Sequence, residues 1–192
     1  MSDLIHQDFK LGPRIVHDED YGVLQYVLLH VEPGTQAVEF GIGSGTSTAL
    51  IARRMRVTGF DSGRGLPADW RPGYPKGSFA FIPPVLVNTR IVIGWFEHSL
   101  PTFDFGTVQP LGLVHIDCDL YSSTVTVLEY VMPHVGPGCF LVFDEFHGYD
   151  DGPGARAEDH EQKAFREYAA QHPDLSWRVL GHGSEQWAIE LT

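Results

Sequence analysis

The sequence predicts an α/β fold in which helices cover both faces of a mostly parallel sheet. Strand-length apolar runs alternate along the chain with helix-like segments, and a glycine-rich turn at 41–45 joins the first run to a helix. Parallel strands that are buried on both faces read as continuous apolar runs, as these do. The 192 residues fit a single domain, 1–192, of ordinary size.

In the first half of the chain we predict two helices, two strands and a loop. The helices cover 21–31 and 46–54, the strands cover 36–40 and 56–60, and the loop covers 62–84. Apolar residues recur at helical spacing in the first helix, which Asp18 can cap and Glu32-Pro33-Gly34 can end. The second strand runs up to Asp61. The loop is rich in Gly and Pro, which indicates a functional or capping segment.

In the second half we predict five more strands, at 91–93, 111–116, 139–143, 177–180 and 186–191. Two helices, about 122–132 and 158–170, separate them, and a flexible loop at 148–157 precedes the second helix. Gly181-His182-Gly183 joins the last two strands. Because this connection is short enough for a hairpin, we expect an antiparallel edge.

The composition excludes several classes of protein. Hydrophobic residues make up 43% of the chain and charged residues 20%, which is typical of a globular protein and not of a disordered one. The net charge of -12 and the lack of a Lys/Arg cluster argue against a nucleic-acid partner. The sequence shows neither a leader peptide nor an apolar stretch of membrane-spanning length, and Cys118 and Cys139 are expected to be reduced, buried thiols. We therefore expect a cytoplasmic protein with a small-molecule partner, no membrane partner, and homodimerisation left open.

Gly41, Gly43 and Gly45 follow the first strand at alternate positions. Glycines there let the backbone turn sharply and approach a ligand at the start of the next helix. Thr46 stands where the dinucleotide fingerprint requires a glycine, and the Gly-Lys-Ser/Thr ending of a P-loop is missing. The loop alone is therefore a weak indication of a nucleotide site.

Two acids beside this loop sharpen the prediction. Asp61 ends the second strand, where a carboxylate can accept both hydroxyls of a ribose. Glu39 precedes the first glycine by two residues, where a carboxylate can receive an amino group and suits a cationic sulfonium cofactor.

Four further acids, Asp117, Asp119, Asp144 and Glu145, follow two apolar strands. In a parallel sheet they would meet at the same carboxyl edge as the glycine loop, where bunched carboxylates suit Mg²⁺, Ca²⁺ or another divalent cation. Methyl transfer from a sulfonium is an in-line displacement that needs a positioned, preferably deprotonated oxygen, and a metal or a general base provides it. Asp119 has an equally good alternative role as a cap of the following helix.

Three histidines, His115, His147 and His160, lie near these acids in the sequence. Among them we favour His147 as a catalytic base, ranked behind Asp117. Tyr121 and Trp95 are candidates to line the pocket, with core packing as the default role of Trp95.

The segment 38–45, VEFGIGSG, resembles motif I of class I S-adenosylmethionine-dependent methyltransferases. From about residue 36 to 170 the chain is similar to the macrocin-type sugar O-methyltransferases, at 60–62 (FDS), 65–67 (GLP), 75–79 (PKGSF), 94–97 (GWFE), 115–124 (HIDCDLYSST) and 142–146 (VFDEF). The resemblance implies a Rossmann-like fold with a seven-stranded, mostly parallel sheet that has one antiparallel strand near its end.

The resemblance also implies roles for individual residues. Glu39, Gly41 and Ser44 would line the methionine end of the cofactor, with Gly43 in the same loop. The ribose would contact Asp61 and Ser62, and the adenine Gly94, Trp95 and Phe96. Asp117, Asp144 and Glu145 would bind metal, and Asp117 would also border the cofactor and serve as the base. Glu145 replaces an aspartate of the characterised relatives, which adds one methylene of reach.

The predicted function is S-adenosylmethionine-dependent, metal-assisted O-methylation of a hydroxylated small molecule, a sugar or natural product. The alternative is a catalytically degenerate cofactor-binding or interaction protein, because the chain is shorter than the characterised sugar enzymes. An NAD-dependent oxidoreductase ranks below both, since Thr46 breaks the glycine fingerprint and no Tyr-x-x-x-Lys pair occurs.

Overall fold

A computed structural model describes residues 13–15, 21–82 and 84–192. Within these residues one sheet contains seven strands in the order β3-β2-β1-β4-β5-β7-β6. The strands are β1 (Gln36–Phe40), β2 (Val57–Asp61), β3 (Thr89–Ile93), β4 (Leu111–Ile116), β5 (Phe140–Phe143), β6 (Trp177–His182) and β7 (Trp187–Leu191). The first five strands pair in parallel, and β7 is antiparallel to both of its neighbours. The predicted mostly parallel sheet with an antiparallel terminal hairpin is therefore confirmed.

The α-helices are α1 (Gly22–Val27), α2 (Thr46–Ala52), α3 (Phe96–Ser99), α4 (Tyr121–Val131) and α5 (Glu161–Gln171). The first is shorter than predicted because the N–H groups of Leu29 and His30 bond carbonyls three residues back, which tightens the chain into turns. A 3₁₀ turn at Ala157–Asp159 precedes α5 and delays its start. The predicted cap Asp18 lies outside the described residues. No helix among the described residues is both long and apolar enough to cross a membrane.

The core has two layers because side chains alternate across each strand. Ala37 of β1 and Leu113 of β4 pack with the apolar faces of α1 and α2. Their neighbours Val38 and Val114 pack on the other side, with α4 and α5. Helices thus cover both faces of the sheet, as predicted.

The strand order places β2 and β4 on opposite sides of β1, so the direction of the chain connections reverses there. In open α/β sheets, ligands bind beyond the carboxyl ends of the strands at this reversal point. The glycine loop follows β1, and the predicted acids follow β2, β4 and β5.

Candidate functional site

A cavity of about 560 Å³ opens at the carboxyl edge of the sheet. Most of the residues predicted from the sequence line it: Gly41, Gly43, Ser44, Asp61, Ser62, Gly94, Trp95, Phe96, Asp117, Asp144 and Glu145. Trp95 therefore lies in the pocket wall and not in the core. Glu39, His147 and Tyr121 do not line the cavity, and the Tyr121 hydroxyl instead donates to Glu167 Oε2 at 2.6 Å.

The glycine loop is shaped by two close approaches of other segments. A Cβ atom on Gly41 would lie 1.7 Å from the carbonyl oxygen of Asp117. Only glycine therefore lets the loop touch the start of the turn that follows β4. Gly45, at φ 84°, precedes α2 and packs under Pro84 of the segment between β2 and β3. The glycine loop and the turn after β4 are thus in direct backbone contact.

Asp61 binds the glycine loop through its carboxylate. Oδ2 accepts the N–H groups of Ile42 at 2.8 Å and Gly43 at 3.2 Å, and Oδ1 accepts the N–H of Gly63 at 2.6 Å. Since a carboxylate offers roughly four acceptor positions, these three bonds leave capacity for a ligand hydroxyl. Asp61 therefore both shapes the loop and faces the cavity.

Glu39 differs from the sequence-based expectation, because its side chain is fully buried behind the cavity wall. Its Oε2 accepts a bond from the Thr48 hydroxyl of α2 at 2.5 Å, and its Oε1 lies 3.0 Å from His115 Nδ1. Glu39 has the same parity along β1 as Ala37, so its side chain points to the α1 and α2 face of the sheet. In this structure Glu39 supports the site from behind and does not border it.

His115 lies between two carboxylates at the back of the site. It is the direct register partner of Glu39 in the neighbouring strand, and its Nε2 is 3.7 Å from Asp144 Oδ1, an ion-pair distance longer than a hydrogen bond. Burial alone lowers the pKa of His115, but the contacts with Asp144 and Glu39 outweigh burial and raise the pKa to about 10. His115 is therefore a buried cation at neutral pH.

Asp117, Asp119, Asp144 and Glu145, hereafter the acid cluster, meet at one side of the cavity. One ligand atom from each of Asp117, Asp119 and Glu145 lies within 4.8 Å of the others, and the same holds for His115, Asp117 and Asp144. The structure thus brings the predicted metal ligands together and adds Asp119 to them. It also puts His115 beside Asp117 and Asp144.

Burial and crowding of negative charge perturb the acid cluster. Burial and the charge of Asp144 raise the pKa values of Asp117 and Glu145 well above their usual range. The same two causes raise the pKa of Asp119 to about 7. Burial alone would also raise the pKa of Asp144, but contacts with His115 and Gln186 lower it. Of the four acids, only Asp144 is thus favoured in its ionised form, and the other three repel added negative charge.

Asp119 does not cap α4, since its side chain has no hydrogen bond to the start of that helix, where the Tyr121 N–H instead donates to His160 Nδ1 at 3.4 Å. It is buried, it lines the cavity, and its backbone has φ 60°, a left-handed conformation rare for any residue but glycine. Such strain persists where the surrounding structure imposes it, and it concentrates at functional sites. Of its two candidate roles, the structure favours membership of the acid cluster.

Among the histidines, the sequence favours His147 as a catalytic base, but the position of His147 does not support that role. Its ring packs edge-on against His182 and Trp187, with centroids 4.8 and 5.5 Å away. The N–H groups of Phe146 and His147 both bond the Glu185 carbonyl, which turns this segment toward the terminal hairpin. We therefore correct the assignment: His147 packs against the hairpin and does not line the cavity.

Tyr21 is a cavity residue that sequence reasoning missed. It precedes α1 with a left-handed backbone, φ 62°, and its ring meets His115 at a centroid distance of 6.4 Å. Burial, followed by the negative charges of Asp117 and Asp144, raises the pKa of its phenol. A lone tyrosine before a helix carries no sequence signal for such a role, because only the tertiary packing of α1 brings it to the acid cluster.

A family model described as a methyltransferase domain matches residues 38–146, more than half of the chain. The chain belongs to this methyltransferase family. The matched region of the methyltransferase domain begins inside β1 and ends just after the acid cluster, so it includes the glycine loop, Asp61 and all four acids.

Two curated relatives of this methyltransferase domain are named O-methyltransferases, and the name of the first includes a rhamnosyl group. The 8-demethyl-8-(2,3-dimethoxy-alpha-L-rhamnosyl)-tetracenomycin-C 4'-O-methyltransferase of Streptomyces olivaceus is 39% identical over 59 residues, 31% of this chain and 22% of that protein. The mycinamicin III 3''-O-methyltransferase of Micromonospora griseorubida is 33% identical over 59 residues, with the same shares. The matches thus span only about a fifth of the length of these relatives.

Solved structures confirm the fold. The calicheamicin methyltransferase CalS11 superposes with a TM-score of 0.65 at 22% identity, over 88% of this chain and 76% of that one. The O-methyltransferase NovP gives 0.65 at 21% identity, over 88% and 78%. TomG from Streptomyces achromogenes, solved in complex with S-adenosylmethionine, gives 0.59 at 16% identity, over 93% and 82%.

Proposed function

We propose that this chain is an S-adenosylmethionine-dependent O-methyltransferase that acts on a hydroxylated small molecule, a sugar or a sugar-bearing natural product. The observation that carries the proposal is that one cavity joins the glycine loop and Asp61 to the acid cluster. A donor placed on the glycine loop and an acceptor hydroxyl placed at the acid cluster would meet inside it.

The donor side fits S-adenosylmethionine. Open space above Gly43 lets a ligand approach the loop backbone, and Asp61 retains capacity for a ribose hydroxyl. Trp95 and Phe96 line the cavity at the end of β3, where flat apolar surfaces suit an adenine ring. Asp144, whose pKa the contact with His115 lowers, lines the cavity with a negative charge that favours a sulfonium cation.

The acceptor side fits a hydroxyl group. Transfer forms a bond between the acceptor oxygen and the methyl carbon, breaks the bond between that carbon and sulfur, and leaves a neutral thioether. The hydroxyl proton must leave as this happens, and we assign its acceptance to the carboxylate of Asp117, a residue that lines the cavity and whose backbone carbonyl touches the glycine loop. The name of one curated relative, a 4'-O-methyltransferase of a rhamnosyl-bearing tetracenomycin, favours a sugar hydroxyl.

The acid cluster also fits a divalent cation. Glu145 Oε2 is buried without a hydrogen-bond partner, and it lies in a ligand set with Asp117 and Asp119. Carboxylate oxygens are the ligands that Mg²⁺ and Ca²⁺ prefer. Asp117, Asp144 and Glu145 would hold the ion, with Asp119 beside them, and a bound ion would lower the pKa of an acceptor hydroxyl.

Cofactor binding tests the donor side. We expect calorimetry to show that S-adenosylmethionine and S-adenosylhomocysteine bind and that NAD does not. Asp61→Ala should weaken binding about 10- to 100-fold, because charge-assisted hydrogen bonds contribute about 1.5–3 kcal/mol. Asp104→Ala is the control, since Asp104 also accepts a backbone N–H, that of Gly106, but lies outside the cavity.

No binding of S-adenosylmethionine at millimolar concentration would refute the proposal. Transfer of a labelled methyl group to a panel of glycosides and other hydroxylated compounds tests turnover. Binding without turnover across such a panel would favour the degenerate cofactor-binding protein.

Metal binding is tested separately with Mn²⁺, followed by electron paramagnetic resonance. Glu145→Gln removes one charge from the ligand set, and we expect it to abolish Mn²⁺ binding while S-adenosylhomocysteine binding stays nearly intact. Glu129→Gln on the exposed face of α4 is the control. Equal Mn²⁺ affinity in Glu145→Gln and the unmodified protein would contradict the metal assignment.

A further inference from the structure

The first residues of α5 bind both of the turns that carry the acid cluster. One turn, 117–121, follows β4, and the other, 144–147, follows β5. His160, Glu161 and Gln162, here called the α5 bracket, each make a hydrogen bond to one or both of these turns. None of the three lines the cavity.

Glu161 is the centre of the bracket. Its side chain is fully buried, and its two carboxylate oxygens accept one backbone N–H from each turn. Oε1 accepts the N–H of Cys118 at 3.4 Å, and Oε2 accepts the N–H of Glu145 at 3.1 Å. A single side chain thus links the two acid-bearing turns.

The flanking residues extend the same connection. The Tyr121 N–H donates to His160 Nδ1 at 3.4 Å, so the ring proton lies on Nε2, which faces the Gly154 carbonyl at 3.1 Å. Gln162 Nε2 donates to the carbonyl of Phe146 at 3.0 Å. Each turn is therefore held at two points, one of them by Glu161.

The two N–H groups that converge on Glu161 match a carboxylate side chain. Glu161 is fully buried, and each of its two oxygens accepts one of these N–H groups. A carboxylate offers two equivalent acceptor oxygens, whereas an amide would turn an NH₂ group toward one of the two N–H donors. Replacing Glu161 with Gln would therefore break one of the two connections while nearly keeping the size of the side chain.

We infer that the α5 bracket, centred on Glu161, positions the acid cluster for divalent-cation binding by fixing the distance between its two turns. The inference rests on the proposed function, of which it specifies one supporting element. Glu161 is a positioning residue and acts through the backbone of Cys118 and Glu145. Partners of this kind, one step removed from metal ligands, typically change metal affinity about 10- to 100-fold when they are replaced.

Glu161→Gln tests the inference, with Glu129→Gln as the matched control. Glu129 carries the same side chain on the exposed face of α4, outside the cavity and outside both acid-bearing turns. For Glu161→Gln we expect Mn²⁺ affinity to fall about 10- to 100-fold. S-adenosylhomocysteine affinity should change by less than about twofold, since Glu161 makes no contact with the glycine loop or Asp61. For Glu129→Gln both affinities should stay unchanged.

Unchanged Mn²⁺ affinity in Glu161→Gln would overturn the inference and leave the proposed function standing. An equal loss of Mn²⁺ affinity in both variants would also overturn the inference. A loss of S-adenosylhomocysteine affinity parallel to the loss of Mn²⁺ affinity would do the same, because either result would indicate a general structural effect. An unmodified protein that binds no Mn²⁺ would overturn the metal assignment and this inference together. If Glu161→Gln does not fold, Gln162→Leu, which removes the bond to the Phe146 carbonyl, must weaken Mn²⁺ binding for the inference to stand.

Discussion

At the scale of single residues, the most consequential contact is the one that His115 makes with Glu39 and Asp144. All three belong to one face of the sheet, and the His115 cation offsets two carboxylates that would otherwise be buried without a positive partner. Asp144 thereby stays ionised and turned toward the cavity, where its neighbours Asp117 and Glu145 are easier to protonate.

Replacing His115 with Gln should destabilise the protein by about 3–5 kcal/mol, because it leaves buried carboxylates without a compensating charge. Urea unfolding followed by circular dichroism measures the change. His172→Gln is the control, since this histidine is exposed just after α5, where its ring bonds the Tyr168 carbonyl and stacks on the Tyr168 ring. A loss below about 1 kcal/mol would show that His115 is not needed as a cation.

At the scale of elements, the register of β1 against β4 decides which side chains meet. Glu39 stands opposite His115, and the next residue along each strand points to the other face. Alternation along each strand was readable from the sequence, but the pairing of the strands was not. The sequence therefore predicts separate roles for Glu39 and His115 but not the salt bridge between them.

The contact between the glycine loop and the turn after β4 predicts a strong effect of Gly41→Ala. The added Cβ would collide with the Asp117 carbonyl, and φ 90° adds backbone strain. We expect loss of S-adenosylhomocysteine binding and a destabilisation larger than the 1–2 kcal/mol or so that strain alone costs.

Gly34→Ala separates strain from collision. Gly34 has φ 88°, but nothing lies within 4 Å of its added Cβ, so only the strain remains. Calorimetric binding and urea unfolding of both variants provide the comparison. Equal stability losses with intact cofactor binding would show that the contact between Gly41 and Asp117 does not shape the site.

At the scale of the whole molecule, two hydrophobic clusters on opposite faces share the same central sheet. Because β1, β4 and β5 contribute alternate residues to both clusters, neither can unfold without disturbing the other. That residues 1–192 form one domain remains a prediction.

Scanning calorimetry tests that prediction. We expect one transition whose calorimetric and van't Hoff enthalpies agree. S-adenosylhomocysteine at 100 times its dissociation constant should add about 2.7 kcal/mol of stability, while NAD should add none. Two transitions, of which the cofactor shifts only one, would contradict a single domain.

Other expectations at this scale depend on composition alone. The acidic net charge argues against nucleic acid as a partner, and the cytoplasmic location and the homodimer remain predictions. Light scattering after gel filtration measures the oligomeric state directly.

The sequence by itself determined the fold class, the glycine loop and the position of the acids at the carboxyl edge of the sheet. These features follow from local patterns: apolar runs of strand length, glycines that need positive φ, and acids at strand ends. The positions of Asp61 and the acid cluster were predictable because parallel strands bring their carboxyl ends to one edge. Element boundaries shifted by a few residues, because turns and 3₁₀ geometry at helix ends depend on packing.

Only the tertiary structure decided what each polar side chain does. Glu39 lies behind the cavity and not in it, His147 faces the hairpin, and Asp119 joins the acid cluster instead of capping α4. Tyr21 and Glu161 reach the site from segments far apart in the chain. These assignments depend on strand register and helix docking, which arise from contacts between distant residues and leave no local pattern in the sequence.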